Sequence, residues 1–244
     1  MSYRMRKTVE IAFVVMATSC ARNGPTPALD GTPPALGAHA LVTHDQNRGV
    51  SPATTPPVVT QTRGSALLAF SLGRTVNFAA PTDSLGNRWS LVGQRHAYAN
   101  GPFYTAVFSS LDAAGGAGHT LSATVADDPK DEISLALVEI THGHRIRDVA
   151  YAYPPKESAL TPGEVTTDGP ATLVALWSGD SFELVHTAVP SDGFQVIESY
   201  LKLGPTSGVQ VAAAVKQVAQ AGTYSVTWTA TPAQGAACYL IAIE

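Results

Sequence analysis

An all-β antiparallel sandwich, of jelly-roll or immunoglobulin-like type and built from two tandem similar halves, is what this sequence predicts, and three observations predict it. The chain says nearly the same thing twice. Ser65-Ala-Leu-Leu-Ala-Phe70 opens a segment that closes with Leu135-Ala-Leu-Val-Glu139, and Ala171-Thr-Leu-Val-Ala-Leu176 opens one that closes with Leu240-Ile-Ala-Ile-Glu244. A plan used twice implies one supersecondary unit in tandem, whose copies bury their apolar faces against each other. The second observation is strict alternation: Tyr224, Val226, Trp228 and Ala230 share one face while Thr223, Ser225, Thr227 and Thr229 share the other. That period of two fits a half-buried strand and no helix. The third is composition: of 244 residues 45% are hydrophobic and only 14% charged, with 21 Gly and 17 Pro. Such a chain buries a sizeable core and breaks its backbone often, as turn-rich β proteins do.

The N-terminus has the form of an export signal over residues 1–19. Arg4, Arg6 and Lys7 make a positive start, and Ile11-Ala-Phe-Val-Val-Met-Ala17 is an apolar stretch far too short to span a bilayer core of roughly 30 Å. The following Ala17-Thr18-Ser19-Cys20 resembles a bacterial lipobox, which implies lipidation of Cys20 after cleavage and a membrane held only through that anchor. Ala17 stands where that motif prefers Leu, and cleavage after Ala21 by an ordinary signal peptidase is the alternative. The implied location is the outer membrane, cell surface or periplasm under lipidation, and the medium otherwise. Setting aside Arg4, Arg6, Lys7 and Glu10 leaves 12 basic against 18 acidic residues, a charge of −6, which argues against nucleic acid as partner. The second cysteine, Cys238, lies in the apolar run to Ile243 and reads as a small buried hydrophobe, a bridge to Cys20 being the lesser option.

Residues 20–37, rich in Pro, Gly, Thr and Ala, lack the apolar surface to offset ordering entropy and form a tether. Polyproline-like chain extends by about 3 Å per residue, so the tether would hold a folded body away from the membrane. The body spans 38–244. Ala38 to His44 is a first strand. The first copy, 64–140, carries strands at 66–72, 88–93, 104–110, 120–125 and 133–140 between Gly, Pro, Asn and Asp clusters. Residues 141–168, with Tyr153-Pro-Pro155 and Thr161-Pro-Gly163, form an irregular crossing. The second copy, 169–244, includes Leu203-Gly-Pro-Thr-Ser-Gly-Val209 as a hairpin connection. Each copy is small for a self-sufficient domain, so one shared sandwich is expected.

The sequences Gly64-Ser-Ala-Leu-Leu-Ala69, Asp83-Ser-Leu-Gly-Asn-Arg-Trp-Ser-Leu-Val92, Ala114-Gly-Gly-Ala-Gly-His-Thr-Leu121 and Ala221-Gly-Thr-Tyr-Ser-Val-Thr-Trp228 resemble those of bacterial and phage extracellular β-sandwich proteins, a largely uncharacterised group. The resemblance runs over most of 64–244. It rests on strands and turns, so it implies fold and extracellular location and carries no catalytic residue across.

Chemistry-bearing residues are sparse. Tyr98-Ala-Asn-Gly-Pro-Phe-Tyr104 sets aromatics around turn chemistry, so Tyr98, Asn100, Phe103 and Tyr104 form the expected ligand site, exposed at a loop edge as platforms for a sugar face. No cofactor is expected, and Asp127, Asp128 and Asp131, which crowd one turn with Glu132, are the candidate ligands if the protein holds Ca²⁺, against a solvated acidic turn balanced by Lys130. His142 and His144 would share a face of an extended strand and suit Zn²⁺ or Cu²⁺ if His96, His119 or His186 joined them. No nucleophile elbow or phosphate loop occurs. Glu139, Glu183 and Glu198 are the carboxylates open to glycoside hydrolysis. The functional expectation is a non-enzymatic envelope or secreted module that binds a glycan or a surface protein, or serves adhesion or surface structure. The alternative is a secreted polysaccharide-acting hydrolase.

Overall fold

The computed structural model describes residues 31–74, 79–99, 103–125, 128 and 130–244, with Ser158 described by its backbone alone. Residues 1–30, which include the expected leader, Cys20 and most of the expected tether, lie outside the described residues. Residues 32–244 form one compact unit. It is all-β, without a helix among the described residues, and its sheets are antiparallel.

Two five-stranded sheets form its centre. The first contains β1 (Ala35–His44), β3 (Ser65–Gly73), β5 (Ser90–Tyr98), β6 (Phe103–Ala113) and β8 (Ile133–Thr141), in the order β1-β8-β3-β6-β5. The second contains β9 (Ile146–Ala152), β12 (Ala171–Gly179), β14 (Gln195–Tyr200), β15 (Val211–Val218) and β18 (Ala236–Ile243), in the order β14-β15-β12-β18-β9. Their inner faces meet in one core: Ala66, Leu68, Phe70 and Leu72 from β3 and Val138 from β8 pack with Val174, Leu176, Tyr239 and Ile241 of the other sheet. Phe70 meets Tyr239 edge-on with centroids 5.8 Å apart.

The outer faces are buried too. β2 (Ala53–Thr54), β4 (Thr82–Asp83) and β7 (Leu121–Ala123) form a sheet that covers Leu67, Ala69, Phe108, Leu135 and Leu137. On the other side, β10 (Glu157–Leu160), β13 (Thr187–Pro190) and β17 (Trp228–Gln234) form one small sheet, and β11 (Glu164–Thr167) pairs with β16 (Gly222–Ser225). They cover Leu173, Ala175, Trp177, Cys238 and Leu240. Burial on both faces explains why β3, β12 and β18 read as unbroken apolar runs rather than as the alternation usual in antiparallel sheets. The outer strands keep the alternation. Val226, Trp228 and Ala230 are buried while Thr223, Ser225 and Thr229 are exposed, the stretch being divided between β16 and β17.

Two expectations are corrected. Residues 141–168 are no irregular crossing: they carry β9, β10 and β11, and β9 is an edge strand of the second central sheet. Residues 35–37 are strand rather than tether, because Ala35 and Leu36 pair with Thr141 and Ile140. The open sides of the sandwich are closed by side chains. His39 of β1 bonds Glu198 of β14 at 2.8 Å, and His96 of β5 stacks on Tyr151 of β9 with centroids 3.5 Å apart.

The ends of the molecule differ. Ala35 pairs with Thr141 at one end of the first sheet and His44 with Ile133 at the other. In the second sheet Ile146 pairs with Ile243, and Ala152 with Cys238. The chain therefore enters the unit at the end that also holds Glu244, while Tyr98, Tyr153 and Asp180 sit at the opposite end. The ten residues of β1, at roughly 3.3 Å each, separate the two ends by about 30 Å.

Candidate ligand pocket

At the end far from Ala35, Tyr153, Pro155, Lys156 and Asp180 line a cavity of about 450 Å³, within the roughly 300–1,000 Å³ of small-ligand sites. Local sequence sets each wall. Tyr153 follows the last residue of β9, and Pro154 and Pro155 fix the backbone that carries Lys156 out of the sheet. Asp180 follows Gly179 at the end of β12, and its amide donates to the Gly235 carbonyl at 3.0 Å. A Cβ on Gly235 would lie 2.5 Å from Asp180 Oδ2, so a side chain there must shift the carboxylate.

The Tyr153 hydroxyl donates to Asp180 Oδ2 at 2.5 Å and accepts from the Ala99 amide. Burial first, then the hydrogen bond to Asp180, pushes the Tyr153 hydroxyl up to about 12, so it stays a donor at physiological pH. Lys156 is exposed and has no hydrogen-bond or ion-pair partner among the described residues. The cavity thus presents a carboxylate held by Tyr153, a phenol, an exposed ammonium and an apolar proline. On the loop after Asp180, Phe182 is 63% exposed and packs against Phe103 with centroids 6.1 Å apart.

The expected aromatic site is rearranged. Tyr98 and Phe103 are no exposed platforms. Both are buried in the core between the sheets, 5.7 Å apart, because β5 and β6 continue to these residues and hold them on the inner face. Tyr98 OH accepts from Ser178 Oγ at 3.3 Å, and burial raises its hydroxyl far above the ordinary tyrosine range. Tyr104, one residue on, turns outward and packs partly buried against the first sheet's outer core. Asn100 lies outside the described residues. What remains of the expected site is its position: Tyr98 stands edge-on to Tyr153 at 6.2 Å, and Ala99 holds the Tyr153 hydroxyl.

The other candidates are dispersed. Asp127 lies outside the described residues. Asp128 accepts from the Lys130 amide at 2.9 Å and Asp131 from Gln46 Nε2 at 2.9 Å, so each carboxylate serves its turn. His142 has φ of 57° and therefore leaves the extended strand that would align it with His144. His119 is buried, with Nδ1 2.9 Å from Thr60 Oγ1, and His186 bonds Gln234 in the second half. Among the described residues no group of three His, Cys, Asp or Glu is placed to hold a metal ion. Glu139 is buried and accepts from the amides of Ala38 and Gln61 and from Ser65 Oγ. Glu198 is engaged with His39, and Glu183 lies on the loop after Asp180 at the opposite end from Glu139, so these three carboxylates do not face one cleft. Cys238 is a free thiol, fully buried, and burial raises it well above the ordinary thiol range.

Tyr153 and Lys156 fall in the stretch that sequence analysis assigns to irregular structure, and Asp180 follows an apolar run with no motif around it. The available signal was Tyr153-Pro-Pro-Lys156 itself, a rigid segment with a polar side chain at each end. No family model, curated protein or solved structure matches this chain.

Proposed function

We propose that this protein is an exported, non-enzymatic surface module, tethered through a lipid at Cys20, whose distal end binds a glycan in the pocket of Tyr153, Pro155, Lys156 and Asp180. The observation that carries this reading is the pocket's composition and place. A carboxylate, a phenol and an ammonium beside a proline offer acceptors and donors for sugar hydroxyls and an apolar wall for a ring face. They do so about 30 Å from where the chain enters the unit. Binding is favoured over hydrolysis because the described lining holds one carboxylate, Asp180, where glycoside cleavage uses a facing pair.

We also propose that the body is a duplicated jelly-roll-like unit. Counted among the five central strands of each copy, both central sheets follow the order first, last, second, fourth, third: β1-β8-β3-β6-β5 and β9-β18-β12-β15-β14. The outer sheets β2-β7-β4 and β10-β17-β13 correspond in the same way. Duplication then begins near β1 and β9, earlier than the sequence similarity.

The test is retention of the purified body on a panel of immobilised polysaccharides. Wild-type protein is retained on at least one member, and Asp180→Asn, which keeps the side chain's shape, loses most of that retention at an unchanged melting temperature. A folded wild type retained by no member of the panel overturns the reading.

A further inference from the structure

Resting on that reading, we infer that the pocket selects an acidic saccharide, a uronic acid unit, with Lys156 taking the sugar carboxylate. Asp180 lines the cavity and already has a donor to Oδ2 in Tyr153, which leaves its Oδ1 to accept from a ligand hydroxyl. The Lys156 ammonium, by contrast, has no anionic partner among the described residues. A neutral sugar leaves that ammonium uncompensated, whereas a sugar acid supplies one anionic group for Lys156 and hydroxyl donors for Asp180 and Tyr153. An acidic peptide offers the anion but no hydroxyl, and sets its carboxylates against Asp180. Pro155 gives the ring an apolar face, and its restricted backbone holds Lys156 beside the cavity.

The experiment compares binding to polygalacturonate and alginate, to the methyl ester of polygalacturonate, to neutral galactan and to poly-glutamate. Wild type binds at least one polyuronate, and raised salt weakens it. Esterification or Lys156→Gln weakens binding by about 10–100-fold, the effect of losing one charge-assisted hydrogen bond, and Lys156→Arg restores part of it. Because Lys156 is exposed, these variants melt as wild type does, and a matched melting temperature separates loss of contact from loss of fold. Equal binding of ester and acid, or binding of neutral galactan alone, overturns the acidic preference while leaving the glycan reading intact. Equal binding of poly-glutamate assigns the pocket to acidic peptides and overturns the saccharide assignment. Binding to no saccharide at all removes the glycan reading itself.

Discussion

Trp228 shows how far one position can be read. Its alternation with Val226 and Ala230 turns it inward, and it is fully buried against Trp177 with centroids 6.5 Å apart. Trp228→Ala should cost about 3–5 kcal/mol, as large aromatic truncations in cores do, and Thr229→Ala on the exposed face under about 1 kcal/mol. Denaturant melts of the two variants check this, and equal losses would mean the faces are exchanged. Tyr98 and Phe103 were not legible in the same way, because Asn100-Gly-Pro102 marks a turn without saying where the strands stop. Because β5 runs to Tyr98 and β6 begins at Phe103, both rings stay on the core face. Glu132 is a second residue whose role emerges only from the fold. Buried, it accepts from Ser207 Oγ at 2.6 Å and from the Gly208 amide at 2.7 Å, and desolvation outweighs these bonds and raises its carboxyl. A raised native value means that the protonated form is favoured by folding, so its stabilising contribution is full below the ordinary carboxylate range and is lost as pH rises through the raised value. Glu132→Gln should therefore flatten the stability profile above that range and be relatively more stable than wild type at neutral pH. Urea melts across pH read it, and parallel profiles would show that Glu132 does not titrate as described.

At the scale of elements, what the sequence marks best are strands buried on both faces. β3, β12 and β18 are dense apolar runs that fit no surface element. β9 escapes because it is an edge strand, partly buried along its whole length, that carries Arg147 and Asp148 among its apolar residues. Those charges have surface partners: Arg147 Nε donates to Asp168 at 2.7 Å, and Asp148 accepts from the Thr166 amide at 2.8 Å. Tyr153 stands at the end of β9, so the pocket is as weakly marked in the sequence as the strand that positions it. The loop pairing that holds Asp180 gives a test at this scale. Gly235→Ala places a methyl group on the carboxylate, so it should displace Asp180 and abolish glycan retention, while Gly193→Ser in a turn with open space around it should leave retention intact. Retention unchanged in Gly235→Ala would show that Asp180 is not a contact. Because Gly193 has φ of 80°, its substitution carries a modest strain cost, and both variants are compared after their melts are recorded.

Across the whole molecule, the two central sheets share one core, so neither completes its burial alone. Unfolding of residues 32–244 should be a single cooperative transition by calorimetry and by tryptophan fluorescence alike. A double-mutant cycle on Phe70 and Tyr239, one from each sheet, should return a coupling of about 0.5–1.5 kcal/mol, and two separated transitions would contradict the shared core. Display from a membrane through Cys20, as proposed above, has a test of its own. Wild-type protein should take up a fatty-acid analogue in bacteria and fractionate with membranes, and Cys20→Ser should release it, whereas an unlabelled product beginning at residue 22 removes the anchor. The pocket can be read residue by residue in a nuclear magnetic resonance titration of the folded body with a retained oligosaccharide. Amide shifts should gather at Ala99, Tyr153, Lys156, Asp180 and Gly235, at the end far from Ala35, and Asp180→Asn should suppress them. Shifts centred instead on Arg145, Asp168 and Glu244 at the opposite end would contradict the account.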